Sequence, residues 1–152
     1  MSGAVWQIAD LLPQAAPMVL LDEVLDHDAA GLRAIVRVRS DTRFYHPGLG
    51  VPAHVGLEWM AQACGAFAGL RACMAGEPVK LGFLLGTRRF TASVSWFTAG
   101  ECLTVRVIRV YEEDGMGAFD CRIEADGAER ATARLTLYQP EDPSRVLSRA
   151  LP

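Results

Sequence analysis

The sequence predicts an α+β fold in which one antiparallel sheet wraps around a single long helix. The first observation is the apolar segment at residues 52–74, whose length is typical of a helix. The second is that segments on both sides of it alternate apolar and polar residues, as half-buried strands do. A helix that is apolar on most sides belongs inside a core, and a curled sheet would enclose it.

A short helix and two strands are predicted ahead of the long helix. Residues 4–12 form the short helix, which Pro13 ends. Residues 18–25 form an apolar strand, and residues 31–38 form a second strand with regular alternation. Residues 41–50 are rich in proline, glycine and aromatic residues, which indicates a loop.

Everything after the long helix is predicted to be strand, at residues 80–91, 103–110, 118–125 and 129–138. Asp114-Gly115 and Asp126-Gly127 are hairpin-turn sequences between the last three strands. One apolar helix held by antiparallel strands is the hotdog architecture. We predict a single hotdog domain over residues 1–140 and a loosely ordered C-terminal tail over residues 141–152.

Composition argues against several classes of protein. A chain of 152 residues with 51% hydrophobic residues is large enough to bury one core. The net charge of −3 argues against nucleic-acid binding. The charges of Glu58 and Arg71 within the apolar helix argue against a membrane span, and the N-terminus lacks the basic region of a signal peptide. No glycine-rich phosphate loop precedes a helix, so no cofactor is expected.

The cysteines are widely spaced and lie in apolar segments, at Cys64, Cys73, Cys102 and Cys121. No C-x-x-C pair is present, which argues against a zinc site or a thiol redox site, and no metal is expected. We interpret the four as small buried hydrophobic residues of a protein in a reducing cytoplasm.

Glu58 is the residue of the long helix that points most directly to chemistry. A carboxylate among apolar residues needs a partner or a task. Burial raises the pKa of a carboxyl group and can keep it neutral near pH 7, as a general acid requires. His54 and Gln62 lie one turn on either side and share its face. The same three residues would equally form a solvated surface stripe without a function.

Three segments carry a family resemblance: LLPQAAPMVLLDEV, PAHVGLEWMAQA and RRFTASVSWFTAGECL. From about Ile8 to Tyr138 the chain resembles the hotdog 3-hydroxyacyl-(acyl-carrier-protein) dehydratases, whose helix motif is P-G-x-x-x-x-E-x-M-A-Q and whose later segment is R-F-x-x-x-V-x-P-G-D-x-L. The first segment, LEWMAQ and LGFLLGTRRF are closer still to a divergent branch associated with aryl-polyene-type lipid synthesis. The resemblance implies elimination of water from a 3-hydroxyacyl thioester.

In that family a histidine and a carboxyl group, one from each subunit of a dimer, perform the reaction. The histidine removes the proton next to the thioester carbonyl, and the acid protonates the departing hydroxyl group. The carboxyl position matches Glu58. A backbone N–H at the helix start polarises the carbonyl, and that position matches Pro52-Ala53, where alanine replaces the family's glycine. His54 lies one turn before Glu58 and is a third candidate, because the two could pair within one chain; otherwise it lines the cleft or a dimer seam. Gln62 is predicted to lie at the substrate and to support Glu58 through a hydrogen bond or to cap a neighbouring strand.

The position of the histidine departs from the family pattern. The family has H-F-P-G fourteen residues before the glutamate, which falls on Phe44 here. His46 lies two residues closer to the helix and lacks the intervening phenylalanine. Either a shorter loop still brings His46 into the cleft as the base, or the base is lost. In the second case the chain is an incomplete subunit that completes the site of an active hotdog dehydratase.

The resemblance also implies partners. The acyl group would be carried by an acyl carrier protein or coenzyme A, and the chain would form a homodimer or a heterodimer with another hotdog protein. Carrier proteins are acidic, so basic residues near the tunnel mouth would dock them; the candidates are Arg43, Lys80, Arg88 and Arg89. The remaining strand arginines are expected to solvate outer sheet faces, at Arg33, Arg37, Arg106, Arg109 and Arg134. Thioester hydrolysis is a further alternative, because hotdog proteins include thioesterases.

Overall fold

The computed structural model describes residues 7–12, 19–79 and 82–140. The described residues form, in chain order, α1 (Ile8–Leu11), β1 (Glu23–His27), β2 (Gly31–Arg37), β3 (Val51–Pro52), α2 (Gly56–Met74), β4 (Phe83–Ala92), β5 (Trp96–Phe97), β6 (Cys102–Glu113), β7 (Met116–Ala125) and β8 (Ala128–Tyr138). A 3₁₀ turn at Ala53–Val55 leads into α2. The tail predicted at residues 141–152 lies outside the described residues.

Six strands form one antiparallel sheet in the order β1-β2-β6-β7-β8-β4. β3 and β5 form a separate two-stranded ribbon beside the start of α2. The long helix packs against one face of the large sheet, mainly on β2, β6 and β7. The predicted α+β layout, with antiparallel strands before and after one long helix, is therefore confirmed.

Both predicted hairpin turns are present. Asp114 and Gly115 have φ values of 51° and 80°, and Asp126 and Gly127 have φ values of 52° and 75°. Positive φ at both central residues is the type I′ geometry, whose twist matches that of the flanking strands. These turns set the register by which β6, β7 and β8 pair.

The first strand begins later than predicted. β1 starts at Glu23 and continues to His27, whereas the sequence pattern placed a strand at residues 18–25. Leu20 donates its backbone N–H to the Oε1 of Gln62 in α2 at 2.8 Å. The chain ahead of β1 is therefore bonded to the helix at this point, which an apolar run in the sequence does not reveal.

Gly69 allows α1 to lie directly on α2. A Cβ atom at Gly69 would be 1.9 Å from the carbonyl oxygen of Leu11, a distance at which the backbone has to move. Leu11 itself is fully buried in the core. The seating of α1 thus requires glycine at this helical position, although glycine is a weak helix former.

We expect Gly69→Ala to lower the free energy of unfolding by about 1–3 kcal/mol, the usual cost of overpacking a core. Gly65→Ala is the matched control, because its Cβ would meet only the flexible Leu12 side chain at 3.4 Å. Alanine favours a helix over glycine by about 1 kcal/mol, so this control should be at least as stable as the wild type. Denaturant unfolding measures both, and a Gly69→Ala protein of wild-type stability would contradict this account.

Candidate active site

A groove of about 1060 Å³ runs along one face of α2. Its helix wall is formed by residues three or four positions apart, at Glu58, Ala61, Gly65, Ala68 and Ala72. The fourteen-residue step from Glu58 to Ala72 corresponds to about 21 Å of helix. Four of these five residues are alanine or glycine, and the helix also contributes larger side chains to the lining, among them Phe67, Arg71 and Met74.

The opposite wall comes from the inner face of the sheet. Phe119 of β7, Leu137 of β8 and Leu84 of the edge strand β4 line it. Phe119 is buried, whereas Leu84 is 47% exposed in the single chain. Both walls therefore carry apolar side chains, charged residues such as Arg109 and Glu112 also line the groove, and the β4 side is incompletely covered.

Glu58 lies in the first turn of α2 and lines this groove. The sequence predicted that its carboxylate is withdrawn from solvent, and for the single chain this is wrong, because Glu58 is exposed. The sheet of the same chain covers the opposite face of α2, where Trp59, Met60 and Ala63 are buried. The side chain nevertheless faces the apolar groove, as expected.

Gln62 also lines the groove, but its amide is directed to the protein. The side chain is 1% exposed, and its Oε1 accepts the backbone N–H of Leu20 at 2.8 Å. This hydrogen bond holds the chain ahead of β1, which is the capping role predicted for Gln62, and support of Glu58 stays a prediction. A direct contact with substrate stays a prediction.

His46 is held in place through the backbone of a tight loop. Its N–H donates to the Gly50 carbonyl at 2.7 Å, and the Gly50 N–H donates to the His46 carbonyl at 3.0 Å. Gly50 has φ +120° and lies on the Phe97 carbonyl, where a Cβ would be 2.3 Å from the oxygen. The loop is thus fixed against β5, and the exposed His46 side chain is presented from a rigid base.

His46 and Glu58 do not line the same groove in the described part of the chain. His46 is absent from the residues that line the groove with Glu58. Its ring lies instead beside Trp96, with ring centroids 5.4 Å apart. This arrangement agrees with the family resemblance, in which the two residues of one site come from different chains.

The helix start differs from the family expectation in one respect. The backbone N–H of Ala53 donates to the Ser95 carbonyl at 3.0 Å, so it is already bonded within the chain. Pro52 pairs with Trp96 in the β3–β5 ribbon. His54 follows in the 3₁₀ turn, where the first N–H groups of a helix lack helical acceptors. His54 is an exposed residue, and its N–H is the next backbone donor after that of Ala53 at the helix start.

The candidate docking arginines are exposed. Arg88 and Arg89 lie on the edge strand β4, and Arg89 has φ +55° where the pairing with β8 shifts register. The guanidinium of Arg43 lies 5.1 Å from the Phe44 ring centroid. None of the three forms an ion pair with another residue in the described ranges, unlike Arg33, Arg37 and Arg134 on the sheet. Lys80 lies outside the described residues.

The groove also contains two arginines for which the sequence predicted no place in the site. Arg71 and Arg109 place their guanidinium groups 5.6 and 5.4 Å from the ring centroid of Phe67. The prediction that Arg109 solvates the outer sheet face is wrong. It alternates in phase with the buried Leu103 and Val105, a periodicity that could have shown its inward position.

Cysteine positions agree with the expectation for two of the four residues. Cys64 and Cys121 are buried with their Sγ atoms 3.7 Å apart, whereas Cys73 is half-buried and Cys102 is exposed. Cys64 also lines the groove. Burial raises the pKa of the Cys64 thiol well above its ordinary value, and the neighbouring Cys121 adds to the shift. The thiol is therefore protonated and unreactive. Predicted burial is wrong for Cys102, which begins β6 on the outer sheet face.

The fold and family are established by comparison with known proteins. A family model described as ApeP-like, ApeP dehydratase, matches residues 6–148. The dehydratase heterocomplex ApeI:P from Xenorhabdus doucetiae is similar, with 29% identity and a TM-score of 0.89 over 95% of this chain and 97% of that chain. Among curated proteins, no sequence matches this chain.

More distant structures share the fold alone. A hypothetical thioesterase with coenzyme A from Streptococcus pneumoniae has 13% identity and a TM-score of 0.60, over 78% of this chain and 88% of that one. The PaaI protein of E. coli has 10% identity and a TM-score of 0.61, over 76% and 81%. No helix in the described ranges has the length and hydropathy needed to cross a bilayer. The hotdog fold and the dehydratase resemblance predicted from the sequence are confirmed, and the chain belongs to the ApeP-like dehydratase family.

Proposed function

We propose that this chain takes part in eliminating water from a 3-hydroxyacyl thioester, with Glu58 as the acid and His46 as the base of sites shared between two hotdog chains. The observation that carries this proposal is the carboxylate of Glu58 in a groove whose helix wall carries a row of alanine and glycine residues. The groove suits an extended acyl chain, and the carboxylate would meet the polar end of that chain.

The proposed reaction uses the two residues as a pair. His46 takes the proton from the carbon next to the thioester carbonyl, and the electrons of that bond form the new carbon–carbon double bond. Glu58 gives its proton to the departing hydroxyl group, which leaves as water and yields a 2-enoyl thioester. The N–H of His54 at the helix start would stabilise negative charge on the carbonyl oxygen.

The exposed β4 edge supports a shared site. β4 is ten residues long, pairs with β8 on one side, and carries Leu84 and Leu85 at 47% and 53% exposure. A long apolar edge strand is prone to pair with another chain. A hotdog partner at this edge would also cover the groove and remove Glu58 from water, which is the environment a general acid needs.

The acyl carrier and the compartment are further parts of the proposal. Arg88 and Arg89 on the same edge, with Arg43, would attract an acidic carrier protein. Such a reaction would take place in the cytoplasm.

The alternative function is that of an incomplete partner subunit. Two observations favour it: His46 lies two residues nearer the helix than the family's histidine, and the similar ApeI:P structure is a heterocomplex. In that case Glu58 would still serve a site whose base belongs to the partner.

We expect Glu58→Gln and His46→Ala each to lower kcat by about 10²-fold or more, the usual contribution of a general acid or base. Glutamine keeps the size of Glu58 but has no proton of the right acidity to give. His54→Gln, which keeps the backbone donor, is the control and should stay within about threefold of wild type. Formation of the 2-enoyl thioester and release of free thiol are both measured, since thiol release alone would indicate hydrolysis. Full activity of His46→Ala would exclude His46 as the base.

Mixing the two inactive variants tests whether the site is shared between copies of this chain. In a mixed symmetric dimer one site regains both residues, so random exchange should restore about a quarter of wild-type activity. No recovery in the mixture, with activity restored by a different hotdog chain, would establish the incomplete-subunit alternative.

Leu84→Glu should abolish assembly with a hotdog chain, because it places a charge in the apolar edge that the partner covers. Leu25→Glu is the matched control, since Leu25 is 46% exposed on the strand at the opposite edge of the sheet. Light scattering after size-exclusion chromatography measures the assembled mass. An unchanged mass for Leu84→Glu would place the interface elsewhere.

Arg88→Glu and Arg89→Glu should raise KM about three- to tenfold for a carrier-protein substrate, as lost charge complementarity does. The same variants should leave KM unchanged for the coenzyme A thioester. Arg106→Glu reverses a charge on the outer sheet face, away from this edge, and controls for net charge. Equal effects on both substrates would argue against carrier docking at this strand.

A further inference from the structure

The two residues of β5 direct their side chains to opposite sides, as neighbours in a strand do. Phe97 is fully buried and contacts Trp59 of α2, with ring centroids 5.1 Å apart. Trp96 faces the other way, and its ring lies 5.4 Å from that of His46 at an interplanar angle of 62°. The short strand thus connects Phe97, which packs in the core, to Trp96, which lies beside the proposed base.

The backbone of β5 is held along one side by residues 50–53. It pairs with β3 through Val51 and Pro52, and the preceding Ser95 carbonyl accepts the N–H of Ala53. Gly50 of the His46 loop, directly before β3, lies against the Phe97 carbonyl. Trp96 is therefore presented from a fixed backbone, and the loop that carries His46 is fixed to the same strand.

The His46 side chain depends on this neighbour for its orientation. Its imidazole has no hydrogen-bond or ion-pair partner in the described part of the chain, and the residue is exposed. General bases are usually oriented by a third group that hydrogen-bonds to them. Here the only ring contact of His46 within the described ranges is with Trp96.

We propose that Trp96 is the positioning residue for His46, holding the imidazole by an edge-on aromatic contact in place of a hydrogen-bonding partner. This role rests on the proposed function of His46 as the base. An edge-on pair at this distance lies within the favourable range of 4.5–7 Å that aromatic rings share. Once His46 accepts a proton it becomes a cation, and the indole ring attracts nearby cations more strongly than other aromatic side chains do.

Kinetics of Trp96→Leu and Trp96→Phe, each in the wild-type and His46→Gln backgrounds, test the proposal. Trp96→Leu should lower kcat about three- to tenfold, the effect of losing an aromatic pair, with KM within about twofold. Trp96→Phe keeps an aromatic ring and should retain most of kcat. In the His46→Gln background, Trp96→Leu should cause no further loss, because residues that act together are not additive. The same loss in both backgrounds would overturn the proposal.

Proton NMR of the histidine rings gives a readout that does not need turnover. Trp96→Leu should move the ring resonances of His46, assigned through His46→Gln, because the ring current of the indole is removed. His27 and His54 serve as internal references and should not move. Unchanged His46 resonances in both folded Trp96 variants would overturn the proposal. If the His46 resonances move but neither the wild type nor any variant catalyses dehydration, the proposed function is overturned, whereas the contact between Trp96 and His46 is supported.

Discussion

The contact between the start of α2 and the sheet is the constraint on which the candidate site depends. A Cβ atom at Gly56 would be 2.8 Å from the Ile123 side chain and 3.5 Å from the Phe97 ring. Glycine lets the helix begin this close to β7 and β5 without displacing the end of the Ile123 side chain. Glu58 follows Gly56 by two residues. The direction in which its side chain leaves the helix therefore depends on how Gly56 packs and on the neighbouring contact between Phe97 and Trp59.

The two faces of α2 have different tasks, although both are apolar. One face buries large side chains such as Trp59, Met60 and Phe67 against the sheet. The other presents alanine and glycine to the groove, together with Glu58. A helix that is apolar all round is normally enclosed by its own chain, whereas here the second face lines an incompletely covered groove. This explains why the exposed carboxylate of Glu58 lies in a segment whose sequence predicts burial.

Much of the fold could be predicted from the sequence because periodicity and turn chemistry are local. The long helix and the Asp-Gly turns are marked by residues next to one another. The β3–β5 ribbon was missed because each of its strands has only two residues, too few to show an alternating pattern. The late start of β1 was missed because the chain ahead of it is bonded to Gln62, which is forty-two residues away from Leu20. For the site, motif similarity located Glu58 and the helix start. Motif similarity did not indicate that Trp96 lies beside His46. It also did not indicate that the Ala53 N–H is bonded to Ser95. Both contacts depend on the β3–β5 ribbon, which only the folded chain forms.

The thiol of Cys64 has a chemical consequence for the proposed reaction. A 2-enoyl thioester is an electrophile, and a thiolate in the groove wall would undergo conjugate addition to it. Burial and the nearby Cys121 keep the Cys64 sulfur protonated, since they raise its pKa well above the ordinary value. If the proposed product occupies the groove, the protonated thiol of Cys64 would be a poor nucleophile toward it, which would protect the protein from alkylation by its own product.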